Sequence, residues 1–162
     1  MIMCAVPSAA TTTVKMERRV YLHPGHLWAD PAPAVVTTVL GSCVSVCLWD
    51  PQTGLGGINH FILPVGGAVA SARYGNHALP MLLERVLEIG AHRETLLGCV
   101  FGGASIIPGD GNGPRLGSRN VVEAFDFLER HDIAVLRHDV EGQQGRKLTF
   151  RTADGTTLIR TL

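Results

Sequence analysis

The sequence lacks the features that mark nucleic-acid-binding, membrane-spanning and disulfide-stapled proteins. Its 14 basic residues balance its 14 acidic ones, and no dense basic stripe occurs, so we expect no nucleic-acid partner. No run approaches the roughly 20 apolar residues that cross a bilayer, so we expect no membrane insertion. The 4 cysteines are irregularly spaced and form no C-x-x-C pair, which argues against both a disulfide framework and a four-sulfur zinc site.

What is present is the composition of a turn-rich globular protein. The chain has 162 residues, of which 46% are hydrophobic, 17% are charged and 19 are glycine, and this length suits one domain. The start, Met1–Ala10, has no preceding positive charge and is short for a secretory leader, so we expect a cytoplasmic protein. We predict a flexible tail over residues 1–16 and one domain over residues 17–162.

Apolar alternation and short apolar runs predict about eight strands. The predicted strands are Arg19–His23, Val35–Leu40, Val44–Trp49, Leu55–Leu63, Leu96–Phe101, Ile133–Arg137, Lys147–Arg151 and Thr157–Thr161. Helical spacing predicts two main helices, Leu79–Ile89 and Arg119–Arg130, the second capped by Ser118. Pro24–Pro33 and Pro108–Gly117 are predicted to be loops. Strands and helices do not alternate strictly, so we expect an α+β fold: a single layered α/β/α-type domain with a mixed, largely antiparallel sheet.

Cys43 is the residue best placed for chemistry. A thiol needs a base to become a nucleophile at neutral pH, and His60 follows seventeen residues later. A strand, a turn at Asp50–Gly54 and a returning strand would bring the two side chains together. Gly41 and Ser42 precede the cysteine on a predicted tight turn, where backbone amides are free to bind an oxyanion or shape the site.

These residues also have a simpler interpretation, because most buried cysteines are small core residues and many histidines are structural. Cys47 and Cys99 are predicted to pack in the core. The remaining histidines lack the short paired spacing of a zinc site, so we predict no metal. Spacing alone therefore leaves two interpretations open, a catalytic pair and two structural residues.

Several blocks, in order along the chain, resemble the family of chemoreceptor glutamine deamidases, CheD. They are Thr37-Thr38-Val39-Leu40-Gly41-Ser42-Cys43-Val44-Ser45-Val46, Gly56-Gly57-Ile58-Asn59-His60, Leu63-Pro64, Arg73-Tyr74-Gly75-Asn76, Gly102-Gly103-Ala104 and Leu116-Gly117-Ser118-Arg119-Asn120. The resemblance covers about residues 35 to 160.

The resemblance implies a cytoplasmic enzyme that converts selected glutamines of methyl-accepting chemotaxis receptors to glutamate. It implies a Cys-His-Thr triad without a cofactor, and Cys43 and His60 match its first two members. The threonine of the family's pattern falls on Thr37, with the adjacent Thr38 as the alternative, because the two point to opposite faces of a strand.

Four further residues are candidates to shape the substrate cleft. Gly102 and Gly103 either line the cleft or give a strand end its flexibility. Arg119 and Asn120 either bind substrate or tie down the loop before the second helix. The resemblance also suggests a second class of function, a non-catalytic adaptor or regulator that binds receptors or a CheC-type phosphatase.

Overall fold

The computed structural model describes residues 17–106 and 115–162 of the chain. These residues form nine strands and two α-helices. The strands are β1 (Arg18–Tyr21), β2 (His26–Ala29), β3 (Ala34–Leu40), β4 (Val44–Asp50), β5 (Leu55–His60), β6 (Leu97–Gly102), β7 (Ala134–Val140), β8 (Arg146–Arg151) and β9 (Thr157–Thr161). The helices are α1 (Gly75–Glu88) and α2 (Leu116–Arg130). Neither described helix is long and apolar enough to cross a membrane.

The strands form two sheets. One has four strands in the order β1-β3-β8-β9, and the other has five strands in the order β2-β5-β4-β6-β7. Pairing is parallel between β1 and β3 and between β6 and β7, and antiparallel in the other five pairs. The prediction of mixed, largely antiparallel pairing is confirmed.

The five-stranded sheet is the middle layer. Both helices pack on one of its faces, and its other face packs against the four-stranded sheet. The α+β class with two main helices is confirmed, but the layer order is sheet, sheet, helices rather than the predicted α/β/α. The reason lies in β4, where Val44, Val46 and Leu48 enter the core under the helices and Cys47 enters the core between the sheets. Alternate side chains of this strand therefore enter two different cores, rather than a core on one face and solvent on the other.

Two local predictions were wrong. The predicted loop Pro24–Pro33 contains β2, a four-residue strand at the edge of the five-stranded sheet, where prolines just outside a strand cost no ladder hydrogen bond. Helix α2 begins at Leu116 with Arg115 at its N-cap and no side-chain cap, so Ser118 lies inside the first turn. The predicted tail and most of the predicted loop Pro108–Gly117 lie outside the described residues.

The hairpin formed by β4 and β5 is fixed at its turn by Asp50. Its buried carboxylate accepts hydrogen bonds from the Gln52 N–H (2.9 Å), the Thr53 hydroxyl (2.8 Å), the His92 N–H (2.8 Å) and the Thr95 hydroxyl (2.6 Å). Burial alone would raise the pKa of Asp50, but these four donors outweigh burial and hold it well below the usual range. The carboxylate thus joins the hairpin turn to the segment before β6.

We predict that Asp50→Asn lowers the free energy of unfolding by about 1 to 3 kcal/mol at pH 7, because the new amide N–H₂ faces groups that are themselves donors. The folded-state pKa of Asp50 lies below its unfolded value of about 3.9. Its contribution is therefore complete above that value and is lost as pH falls toward the folded-state pKa. Urea unfolding at pH 7 and at pH 3.5 should show a smaller gap between wild type and mutant at the lower pH; an equal gap would contradict the assignment.

Candidate functional site

The turn Gly41–Cys43 is where the chain passes from one sheet to the other. It joins the end of β3 in the four-stranded sheet to the start of β4 in the five-stranded sheet. Cys43 is half-buried, whereas Cys47 and Cys99 are buried in the core between the sheets. Cys43 is therefore the most accessible cysteine of the described part of the chain.

Strand register places Cys43 and His60 on one face of the five-stranded sheet. The ladder of β4 and β5 ends at Val44 and Phe61, whose backbones exchange hydrogen bonds of 3.1 and 3.0 Å. The residues that precede these two, Cys43 and His60, both point toward the four-stranded sheet. They are diagonal neighbours across the strand pair. No hydrogen bond joins the Cys43 thiol to His60 within the described residues.

His60 is held by a hydroxyl from the opposite sheet. Its side chain is buried, with 1% of the residue exposed, and its Nδ1 lies 2.7 Å from the Oγ1 of Thr38. The same hydroxyl donates to the carbonyl of Leu22 at 2.8 Å. A carbonyl only accepts and a hydroxyl has one proton, so Thr38 must accept from Nδ1–H. The neutral imidazole is therefore the Nδ1–H tautomer, and Nε2 is its basic atom.

Thr37, the threonine chosen from the sequence, points away from His60. Its hydroxyl lies 3.4 Å from that of Thr149 on β8, on the outer face of the four-stranded sheet. Thr38 is fully buried with Val36 and Leu40 on the inner face. Of the two neighbours, Thr38 contacts the imidazole and Thr37, the first choice from the sequence, does not.

Burial keeps both candidate groups neutral in the free protein. It lowers the pKa of His60 to about 4. It also raises the pKa of the Cys43 thiol, and an interaction with the cysteine's own backbone N–H offsets part of that rise. At neutral pH Cys43 is therefore a thiol and His60 an unprotonated imidazole.

The turn that carries Cys43 is anchored by the end of β6. The Gly103 N–H donates to the Cys43 carbonyl and the Ala104 N–H donates to the Gly41 carbonyl, each at 2.8 Å. Gly102 and Gly103 have φ of +107° and +71°, which disfavour a side chain. A Cβ on Gly102 would also lie 2.2 Å from the Cys43 carbonyl oxygen. The two glycines therefore permit the close backbone contacts that hold the Cys43 turn.

Asn120 and Arg119, adjacent in α2, lie in different surroundings. Asn120 is fully buried, and its Nδ2 donates to the carbonyls of Ser42 and Ile62, each at 2.9 Å. Its Oδ1 is buried without a hydrogen-bond partner in the described residues. Arg119 is exposed and lines a separate groove with Pro64 and neighbouring residues. The structure brings Asn120, but not Arg119, to the turn that carries Cys43.

An open cleft of about 330 Å³ lies over the Cys43 turn. Its walls come from three segments, residues 41–43, 104–106 and 115–117. Sequence reasoning did not identify the second wall or Arg115, which hydrogen-bonds to Ser105 across the cleft. Ala104, Ser105 and Ile106 follow a predicted strand and carry no group that marks a cleft. No cluster of three or more potential metal ligands occurs among the described side chains.

Comparison with known proteins identifies the family. The family model described as CheD chemotactic sensory transduction matches residues 64–161. A probable chemoreceptor glutamine deamidase CheD 1 of Anaeromyxobacter dehalogenans is 44% identical over 160 residues, 98% of this chain and 94% of that protein. The chain belongs to the CheD family. A probable chemoreceptor glutamine deamidase CheD of Trichlorobacter lovleyi is also 44% identical, over 144 residues, 88% of this chain and 89% of that protein.

The two kinds of match cover different parts of this CheD chain. The family model begins at Pro64 and so omits Cys43 and His60. The first relative, which aligns over 98% of the chain, extends across both. The resemblance read from the sequence is thus confirmed at the level of the family, while the roles of single residues depend on the geometry above.

The raised pKa of Cys43 predicts how its thiol reacts in this CheD protein. Alkylation by iodoacetamide, followed at Cys43 by peptide mass spectrometry, should accelerate with pH and reach half its maximum above the ordinary cysteine pKa of about 8.5. A raised pKa keeps the unreactive thiol form to higher pH. Fast alkylation that does not change between pH 6 and 8 would instead indicate a preformed thiolate-imidazolium pair.

Proposed function

We propose that this CheD protein is a cytoplasmic protein-glutamine deamidase that acts on methyl-accepting chemotaxis receptors, with Cys43 as nucleophile and His60 as base. The observation that carries the proposal is the buried His60. Its Nδ1 is committed to Thr38, so its basic Nε2 is left for the thiol on the same sheet face. The relatives, which are named as probable chemoreceptor glutamine deamidases, support the substrate class.

The first half of the reaction forms a thioester. The Cys43 proton passes to Nε2 of His60 as sulfur attacks the carboxamide carbon of glutamine. The resulting oxyanion is stabilised by backbone N–H groups of the turn Gly41–Cys43. The imidazolium then returns the proton to the amide nitrogen, the carbon–nitrogen bond breaks and ammonia leaves.

The second half hydrolyses the thioester. His60 takes a proton from water, whose oxygen attacks the thioester carbon, and the carbon–sulfur bond breaks as the imidazolium returns a proton to sulfur. The product is glutamate and the thiol is restored, so no cofactor is consumed. Thr38, rather than Thr37, orients the imidazole and accepts from Nδ1–H while positive charge is present on the ring.

Cys43 and the buried Cys47 provide a matched pair of variants. With receptor cytoplasmic fragments as substrate, wild type and Cys47→Ala should release ammonia and convert glutamine to glutamate, as followed by peptide mass spectrometry. Cys43→Ala should do neither, because it removes the nucleophile. Well-folded wild type that binds the fragments without releasing ammonia would reject the proposal and favour the adaptor function.

A CheC-type phosphatase partner stays a prediction, tested by binding with either cysteine variant.

Thr37 and Thr38 provide a second matched pair. Thr38→Val should lower kcat by about 100-fold, because a misplaced or wrongly protonated imidazole no longer meets the reacting atoms. Thr38→Ser, which keeps the hydroxyl, should recover most of that loss, and Thr37→Val should match wild type. Steady-state ammonia release decides: a larger loss in Thr37→Val than in Thr38→Val would return the role to Thr37.

A further inference from the structure

Asn120 occupies the point at which the β4–β5 ladder opens. If the ladder continued by one more hydrogen-bonded pair, the Leu63 N–H would donate to the Ser42 carbonyl. Instead the Leu63 N–H donates to the Arg73 carbonyl at 3.1 Å. The Ser42 carbonyl accepts from Asn120 Nδ2 at 2.9 Å. A side chain from α2 thus takes the place of a strand partner, directly before the nucleophile.

The orientation of the Asn120 amide is unambiguous. Both groups within reach of Nδ2 are carbonyl oxygens, those of Ser42 and Ile62. The N–H₂ group donates to both carbonyls, whereas an aspartate or a rotated amide would place an acceptor oxygen against them. With 0% of the residue exposed, Asn120 cannot contact substrate directly, and whatever it does must act through the backbone that it holds.

The β6 side of the turn is also incomplete. In a continued β4–β6 ladder, Cys43 and Gly103 would exchange two hydrogen bonds. Only the bond from the Gly103 N–H to the Cys43 carbonyl is formed, at 2.8 Å. The Gly103 carbonyl lies instead against Gly117, where an added Cβ would come within 2.2 Å. Within the described part of the chain, the Cys43 N–H donates to no backbone carbonyl.

The Ser42 carbonyl and the Cys43 N–H belong to one peptide group. In a trans peptide the C=O and the N–H point in opposite directions. Because Asn120 holds the Ser42 carbonyl, the Cys43 N–H points away from Asn120 toward the end of β6, where residues 104–106 form a wall of the cleft. We propose that Asn120 is a positioning residue that aims the Cys43 N–H at the oxyanion formed during deamidation. The inference rests on the proposed function and adds to it a residue that determines the oxyanion site.

The test separates oxyanion alignment from general support of the turn. Asn120→Ala should lower kcat for ammonia release by about 100-fold, the cost of a misplacement near 1 Å, with KM unchanged. Alkylation of Cys43 by iodoacetamide forms no oxyanion, so it should keep its wild-type rate at high pH, where the thiol is fully ionised. Its half-maximum should move only to higher pH, because the Cys43 N–H also lowers the pKa of the thiol. Asn120→Ser, which keeps one donor, should lose less, and it serves as the second variant if Asn120→Ala does not fold.

Asn76 provides the matched control, because it also bridges backbone groups, accepting from the Gly66 N–H at 2.9 Å and donating to the Gly66 carbonyl at 3.3 Å. Asn76→Ala should keep the wild-type kcat. A kcat unchanged in the Asn120 variants, or a fall matched by an equal fall in alkylation, would overturn the inference while leaving the deamidase proposal intact. Wild type that releases no ammonia would overturn both.

Discussion

Face-to-face packing of the two sheets is the constraint on which the site depends. Stacked sheets lie about 10 Å apart, close enough for side chains from facing strands to meet. Thr38 comes from one sheet and His60 from the other, and their 2.7 Å contact exists only while the layers keep their alignment. The core between the layers, which includes Val36, Ile58 and Leu148, therefore holds the imidazole in place as well as holding the domain together.

Much of the fold could be predicted because most strands carry a clear signal. Thr157–Thr161 agrees with the structure at both ends, and alternation over Val44–Trp49 followed by an Asp-Pro turn predicts the β4–β5 hairpin. The layer order could not be predicted, since β4 is apolar on both faces and the sequence does not say what covers each. Strand β2 was missed because four residues between prolines resemble a loop.

The candidate site could be predicted where the chemistry requires a particular residue type. It could not be predicted where the chemistry depends on which face of a sheet a side chain occupies. Cys43 and His60 can be found from the sequence as a candidate thiol and base, one on each side of the open end of a hairpin. The sequence could not show which of Thr37 and Thr38 faces His60, because β3 presents apolar residues on both faces, Val36 and Leu40 inward and Val39 outward. The contact of Asn120 with the turn that carries Cys43 spans 78 positions along the chain, and no local pattern encodes such a separation.

The change of sheet at Gly41–Cys43 also limits how the chain can vary in length. Cys43 and His60 share a face only because each lies one residue before a member of the Val44–Phe61 pair. Deleting a single residue inside either strand would turn one of the two side chains to the helix side. Residues inserted at the tip between Asp50 and Leu55 would leave that parity intact. Length variation at the hairpin tip therefore keeps Cys43 and His60 on one face, whereas length variation along the strands that lead to it does not.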